Sequence, residues 1–158
     1  MIIKPDNEML SYSGRIDFDD RLAPVLVYAC SSIGMKFTGT SLKAVIANHR
    51  SCWTNELGYF IDGEQKRFTL SSDEEKKTYT LAENLPEGTH ELLLFKRMDS
   101  CHTFTFYGFE IDNGAKVLAL PEKPKRKMEF FGDSVSCGEV SEAVEYAGKP
   151  DPEHDGQY

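Results

Sequence analysis

"ELGYFIDGEQKRFTL", Glu56 to Leu70, holds the turn on which the reading of the fold rests. Two strand-like arms meet at Asp62-Gly63, a dipeptide that tolerates the positive φ angles of a type I′ turn. That turn twists the way paired strands twist, so it predicts antiparallel neighbours. Upstream, "SLKAVIAN" (Ser41 to Asn48) alternates, with Leu42, Ala44 and Ile46 on one face and Lys43, Val45 and Ala47 on the other. "APVLVYA" (Ala23 to Ala29) is a continuous apolar run after an acidic turn, and "IGMKFTG" follows a Ser-Ser break. Downstream come "KTYTLAENL" and "PEGTHELLLFKRM", in which Pro86, Glu87 and Gly88 make a turn and Leu92 to Phe95 read as a fully apolar strand. "HTFTFYGFEID" closes the series, alternating Phe104, Phe106 and Gly108 with Thr103, Thr105, Tyr107 and Phe109. Short strands at near-regular spacing, with no 3.6-residue apolar stripe before residue 130, predict a mainly β chain folded as an antiparallel sandwich.

Composition narrows the partners. A chain of 158 residues with 40% hydrophobic and 28% charged residues can bury a core of its own. Its net charge of -8 repels phosphate backbones and anionic membranes, so neither nucleic acid nor membrane is expected as a partner. The basic "KPKRK" (Lys123 to Lys127) is short, contains Pro124 and reads as a solvated linker. No apolar run is long enough to span a bilayer, and "MIIKPDNEML" has no basic segment leading into an apolar one. As written, the chain reads as cytoplasmic, or as secreted if a signal has been removed. Cys30, Cys52, Cys101 and Cys137 show no C-x-x-C pair and no histidine at zinc-finger spacing. Buried structural thiols are the default reading, although an even count also allows two disulfides. His49, His90 and His102 fit no metal pattern either, so no metal and no cofactor is expected.

After "VLALPEKPKRK" the pattern changes. "MEFFGDSVSCGEVSEAVEYAG" reads as a short apolar strand, a Gly-Asp-Ser turn and a small-residue segment that opens a helix, the first βα step of an α/β sheet. One strand cannot make a parallel sheet. The stretch Met128 to Phe131 is therefore expected to be disordered, to pair with the sandwich edge or to pair with another molecule. Ser134 suits a nucleophile, because a strand-to-helix turn exposes Oγ and the helix start offers N–H groups where an oxyanion would develop. Asp133 and Ser134 are equally favoured N-caps, and on the tripeptide alone the cap reading is the stronger.

The wider context tips this balance. "FYGFEID" and then "LPEKPKRKMEFFGDSVSCG" resemble the junction between the N-terminal jelly roll and the hydrolase domain of family 2 carbohydrate esterases, members of the GDS(L)/SGNH hydrolase superfamily. "SYSGRIDFDD", "MKFTGTSLKAVI", "YFIDG" and "EGTHELLLFKR" resemble the sandwich domain of the same family, in the same order. The resemblance implies a jelly-roll domain over 1–120, a linker over 121–127 and the beginning of an SGNH-type α/β hydrolase domain over 128–158. It implies a parent enzyme that removes O-acetyl groups from plant polysaccharides such as xylan or glucomannan. Ser134 would be the nucleophile and a backbone oxyanion donor, and Asp133 would hold the turn. The remaining donors, a backbone Gly and an Asn side chain, and the histidine base match no position in this chain.

"DPEHD" gives Asp151 and His154 the D-x-x-H spacing of the superfamily's base. The oxyanion blocks should precede that motif, and the Pro-rich surroundings read as a solvated loop. Trp53 and Tyr59 are candidate carbohydrate contacts, since flat aromatic faces suit pyranose rings; packing within the hairpin is the competing reading. Two functions follow. The chain is part of an acetyl esterase, its partners being an acetylated polysaccharide or oligosaccharide and the rest of the hydrolase domain. Alternatively, it is a stand-alone carbohydrate-binding or structural β-sandwich with no catalysis of its own.

Overall fold

The computed structural model describes residues 1–50, 54–138 and 141. Two antiparallel sheets face each other across one core. The first sheet runs β3 (Ile16–Asp17), β4 (Val25–Leu26), β11 (His102–Ile111), β6 (Leu42–Arg50) and β9 (Lys77–Ala82), with β1 (Ile2–Ile3) also on β11. The second runs β12 (Val117–Leu118), β5 (Ser32–Thr38), β10 (Thr89–Lys96), β7 (Glu56–Ile61) and β8 (Glu64–Thr69), with β2 (Ser11–Ser13) also on β5. Consecutive strands such as β5 and β6 lie in different sheets, so the chain crosses the sandwich repeatedly, as the jelly-roll reading requires.

The hairpin that opened the argument is present. β7 and β8 pair from Glu56 with Thr69 to Ile61 with Glu64, and both turn residues have positive φ, 52° at Asp62 and 85° at Gly63. Asp62 tolerates that conformation and Gly63 meets nothing a Cβ would touch. The turn is also tied sideways. Asp62 accepts from the Glu91 amide at 2.8 Å and bonds His90 Nδ1 at 2.6 Å, while His90 Nε2 reaches the Pro86 carbonyl at 2.9 Å. Burial works against a charged His90, yet these acceptors outweigh it and raise its pKa.

Inward-facing residues come from alternate positions. Leu42, Ala44 and Ile46 of β6 meet Leu57, Tyr59 and Ile61 of β7 and Leu92 and Leu94 of β10 in one cluster. Val45 and Ala47, on the other face of β6, are buried as well. Two sequence expectations change. First, "APVLVYA" yields only the two-residue β4, and Tyr28 is exposed. Second, the alternation in β11 breaks. Phe106 pairs with Ile46 and Gly108 with Val45, leaving Tyr107 as a bulge. The bulge turns Phe109 into the core, where its ring lies 4.7 Å from that of Phe106. Gly108, at φ 126°, allows β1 to approach, since a Cβ there would sit 2.4 Å from the Ile3 carbonyl.

β10 shows the reverse effect. Its "LLLF" run is not buried on both faces: Leu92 and Leu94 point inward, Leu93 is 41% exposed and Phe95 is half-buried. Strand periodicity forces alternate residues out, whatever their hydrophobicity.

Candidate functional site

The Gly-Asp-Ser turn follows the connector but not a strand. Residues 128–131 pair with no ladder, and Met128, Phe130 and Phe131 are 71%, 84% and 83% exposed. The expected first strand is therefore absent, because strand backbone needs a neighbour to satisfy its N–H and C=O groups and the sandwich edge does not provide one. The stretch is held by side chains: Arg15 Nε bonds Glu129 Oε1 at 2.6 Å, and its guanidinium lies 5.9 Å from the Phe131 ring centre. Lys123 anchors the connector by donating to the Tyr12 carbonyl and, at 3.0 Å, to Ser13 Oγ.

The turn itself is built locally. Asp133 is the N-cap of α1 (Ser134–Cys137): its carboxylate accepts from the amides of Val135 and Ser136, at 3.1 and 3.5 Å to Oδ1. Ser134 is thus the first helical residue, not the cap, and it is half-buried. Gly132 is required by packing, for a Cβ there would lie 2.1 Å from Ser136 Oγ. Gly138 ends the helix in the left-handed conformation at φ 87°, its N–H returning to the carbonyls of Ser134 and Val135. Each residue of Gly132-Asp133-Ser134 has a distinct position: space for Ser136, the cap, and the helix start.

No described histidine joins this turn. His49 bonds Thr105 at 2.8 Å, His90 belongs to the Asp62 turn, and His102 Nδ1 contacts Asp99 at 3.2 Å. Asp151 and His154 lie outside the described residues, as do Cys52 and Trp53. Tyr59, the other candidate sugar contact, is in the core: 6% exposed, its hydroxyl donates to the Leu81 carbonyl at 2.8 Å. Packing within the sandwich accounts for it.

Near Cys137 of α1 the sandwich holds a buried cation that no local pattern announces. Lys96 is fully buried at the end of β10, its ammonium donating to the carbonyls of Met98 and Asp99. Burial lowers its pKa to about 8, while Asp99 and then Cys137 favour the charged form. Cys137 of α1 is half-buried, and its pKa is raised by burial and by Asp99. Cys30 and Cys101 are exposed, contrary to the expectation of buried thiols. The reason is position, since both sit in the loops at the end of the sandwich instead of in its strands. Among the described residues, no group of three or more His, Cys, Asp or Glu side chains is arranged to hold a metal.

The cellulase/esterase CelE of Acetivibrio thermocellus is 31% identical over 154 residues, 97% of this chain, and the chain spans only 18% of that relative's length. A family two carbohydrate esterase from Clostridium thermocellum, solved in complex with cellohexaose, superposes with a TM-score of 0.76 at 31% identity, over 85% of this chain and 40% of that one. A family two carbohydrate esterase from Cellvibrio japonicus shares the fold over 96% of this chain and 44% of its own, with TM-score 0.79 and 22% identity. The family described as Carbohydrate esterase 2 N-terminal matches residues 12–121, the sandwich from β2 to the start of the connector, and the chain belongs to that family.

Proposed function

We propose that this chain supplies the nucleophile Ser134 and the accessory sandwich of a serine esterase that removes O-acetyl groups from plant polysaccharides such as xylan or glucomannan. The observation that carries the proposal is the Asp133-capped turn that puts Ser134 at the first position of α1, directly downstream of the family-matched sandwich. The relatives are carbohydrate esterases, and one of them binds cellohexaose. In the proposed reaction, Ser134 Oγ attacks the acetyl carbonyl and its proton passes to a histidine base. The sugar hydroxyl leaves, and water then releases acetate from the acyl-enzyme. The Ser134 N–H is one oxyanion donor, and Asp133 keeps the turn in place through Val135 and Ser136. The base, a backbone Gly and an Asn side chain belong to the remainder of an SGNH hydrolase domain.

The test compares acetate release from acetylated xylan and glucomannan by the parent protein and its Ser134→Ala variant. Loss of about 10³-fold or more is expected, since removing a nucleophile leaves only binding and oxyanion contributions. Wild-type activity in the variant would sink the assignment. This chain alone should show negligible turnover of p-nitrophenyl acetate.

A further inference from the structure

The open face of the second sheet carries a groove that the esterase chemistry does not use. Its floor is β5 and β10, where Gly34 has no side chain and Leu93 is exposed. One wall is the connector, with Leu120 lying over Gly34, 3.2 Å from where a Cβ would be. The other wall is Phe60 of β7, stacked on Phe95 with ring centres 5.6 Å apart and planes 28° apart. Phe95 in turn lies across Gly58, where a Cβ would meet the ring at 2.2 Å. The rings are thus fixed in place by a glycine, which makes a rigid apolar wall. The groove is open to solvent along its length and offers about 350 Å³.

The rim decides what fits. Ser11, Ser13, Glu91 and Lys123 border the groove. Its cations are already engaged: Lys36 pairs with Glu91 at 2.8 Å, and Lys123 donates to the Tyr12 carbonyl and Ser13 Oγ. The lining carries the carboxylates of Glu91 and Glu122 beside Lys123, and the chain carries a net charge of -8, so an anionic ligand is disfavoured. A purely apolar ligand would take the Ser11 hydroxyl and the Lys36–Glu91 pair out of water and return no hydrogen bond to them. A neutral ligand with one apolar face and many hydroxyls satisfies both walls and rim.

We infer that this groove is an accessory binding site for a neutral pyranose chain, with Phe60 and Leu93 under the sugar faces and Ser11, Ser13 and Glu91 at its hydroxyls. The site rests on the polysaccharide part of the proposed function and is independent of Ser134. Because the connector forms its wall and reaches the nucleophile turn ten residues beyond Pro124, a bound chain is held close to the catalytic portion of the parent.

The test is an amide-resolved NMR titration of the 158-residue chain with cellohexaose and xylohexaose. Signals of Gly34, Gly63 and Leu93 should shift with saturation, and Phe60→Ala or, where that variant does not fold, Leu93→Ser should weaken binding about tenfold. Unmoved signals at 10 mM of either hexasaccharide, about a hundred times a 0.1 mM dissociation constant, or shifts confined to another face, overturn the site. So does stronger protection of these amides in the sugar-free parent than in the 158-residue chain, which would mean that another part of the protein fills the groove. Absent shifts alongside an inactive Ser134→Ala parent reject the groove alone; shifts alongside an active Ser134→Ala parent reject the nucleophile alone.

Discussion

The sandwich and the segment after it solve the same problem with opposite success. In β11, Phe104, Phe106 and Phe109 are fully buried, each strand neighbour satisfying the backbone while the facing sheet covers the rings. In "FFGDS", two equally apolar rings stand more than four-fifths exposed next to a well-capped turn. The difference is not hydrophobicity but partners. A turn needs only the few residues that form it, whereas a strand is stable only when another strand and a covering layer are present.

The strongest way to break this comparison is to empty a position in the sandwich. Phe109→Ala removes a fully buried ring packed on Phe106 and should cost about 3–5 kcal/mol, read from urea unfolding. A cost below about 1 kcal/mol would mean that the bulge at Tyr107 does not deliver Phe109 to the core.

A smaller effect is expected at Lys96, where the two regions meet. Its folded-state pKa of about 8 is below the ordinary 10.5, so between those values the unfolded chain holds a proton that the folded chain has released. Stability therefore gains with rising pH through this group, beginning near pH 8, by about 1 kcal/mol at pH 9. Thermal unfolding at pH 7 and pH 9 should show this increment in the wild type relative to Lys96→Met. Identical pH dependence in the two proteins would place the ammonium in solvent.

The smallest effect is expected from Phe130→Ser, which should leave unfolding within about 0.5 kcal/mol because the ring is already in water. The same substitution in the parent should destabilise the hydrolase domain if Phe130 is buried there. Equal, small effects in both proteins would mean that this ring has no partner in either.

Much of the fold was legible in the sequence because strands and tight turns announce themselves locally. Asp62-Gly63 specified its turn by the two residues that tolerate positive φ, and the alternation of β6 placed Leu42, Ala44 and Ile46 on one face. What was hidden depended on neighbours. Phe109 reads as outward until the bulge is counted, and the bulge is visible only once β1 is seen pressing on Gly108. Leu93 and Phe95 vanish into an apolar run, and only pairing with Gly34 and Gly58 of adjacent strands shows Leu93 as the floor of a groove and Phe95 as the ring behind its wall. Tyr59 reads equally well as a sugar platform or as core until the facing sheet places the Leu81 carbonyl at its hydroxyl.

By itself, the sequence determined the antiparallel β class and the hairpin at Asp62-Gly63, and it offered Asp133 and Ser134 as alternative caps of one helix start. Each rests on backbone preferences and hydrogen bonds among residues close in the chain. The tertiary structure alone decided which aromatics are core and which are surface, that Lys96 is buried, and that Met128 to Phe131 is not a strand. Those outcomes depend on what lies across a sheet or beside a strand, and residues distant in sequence supply it.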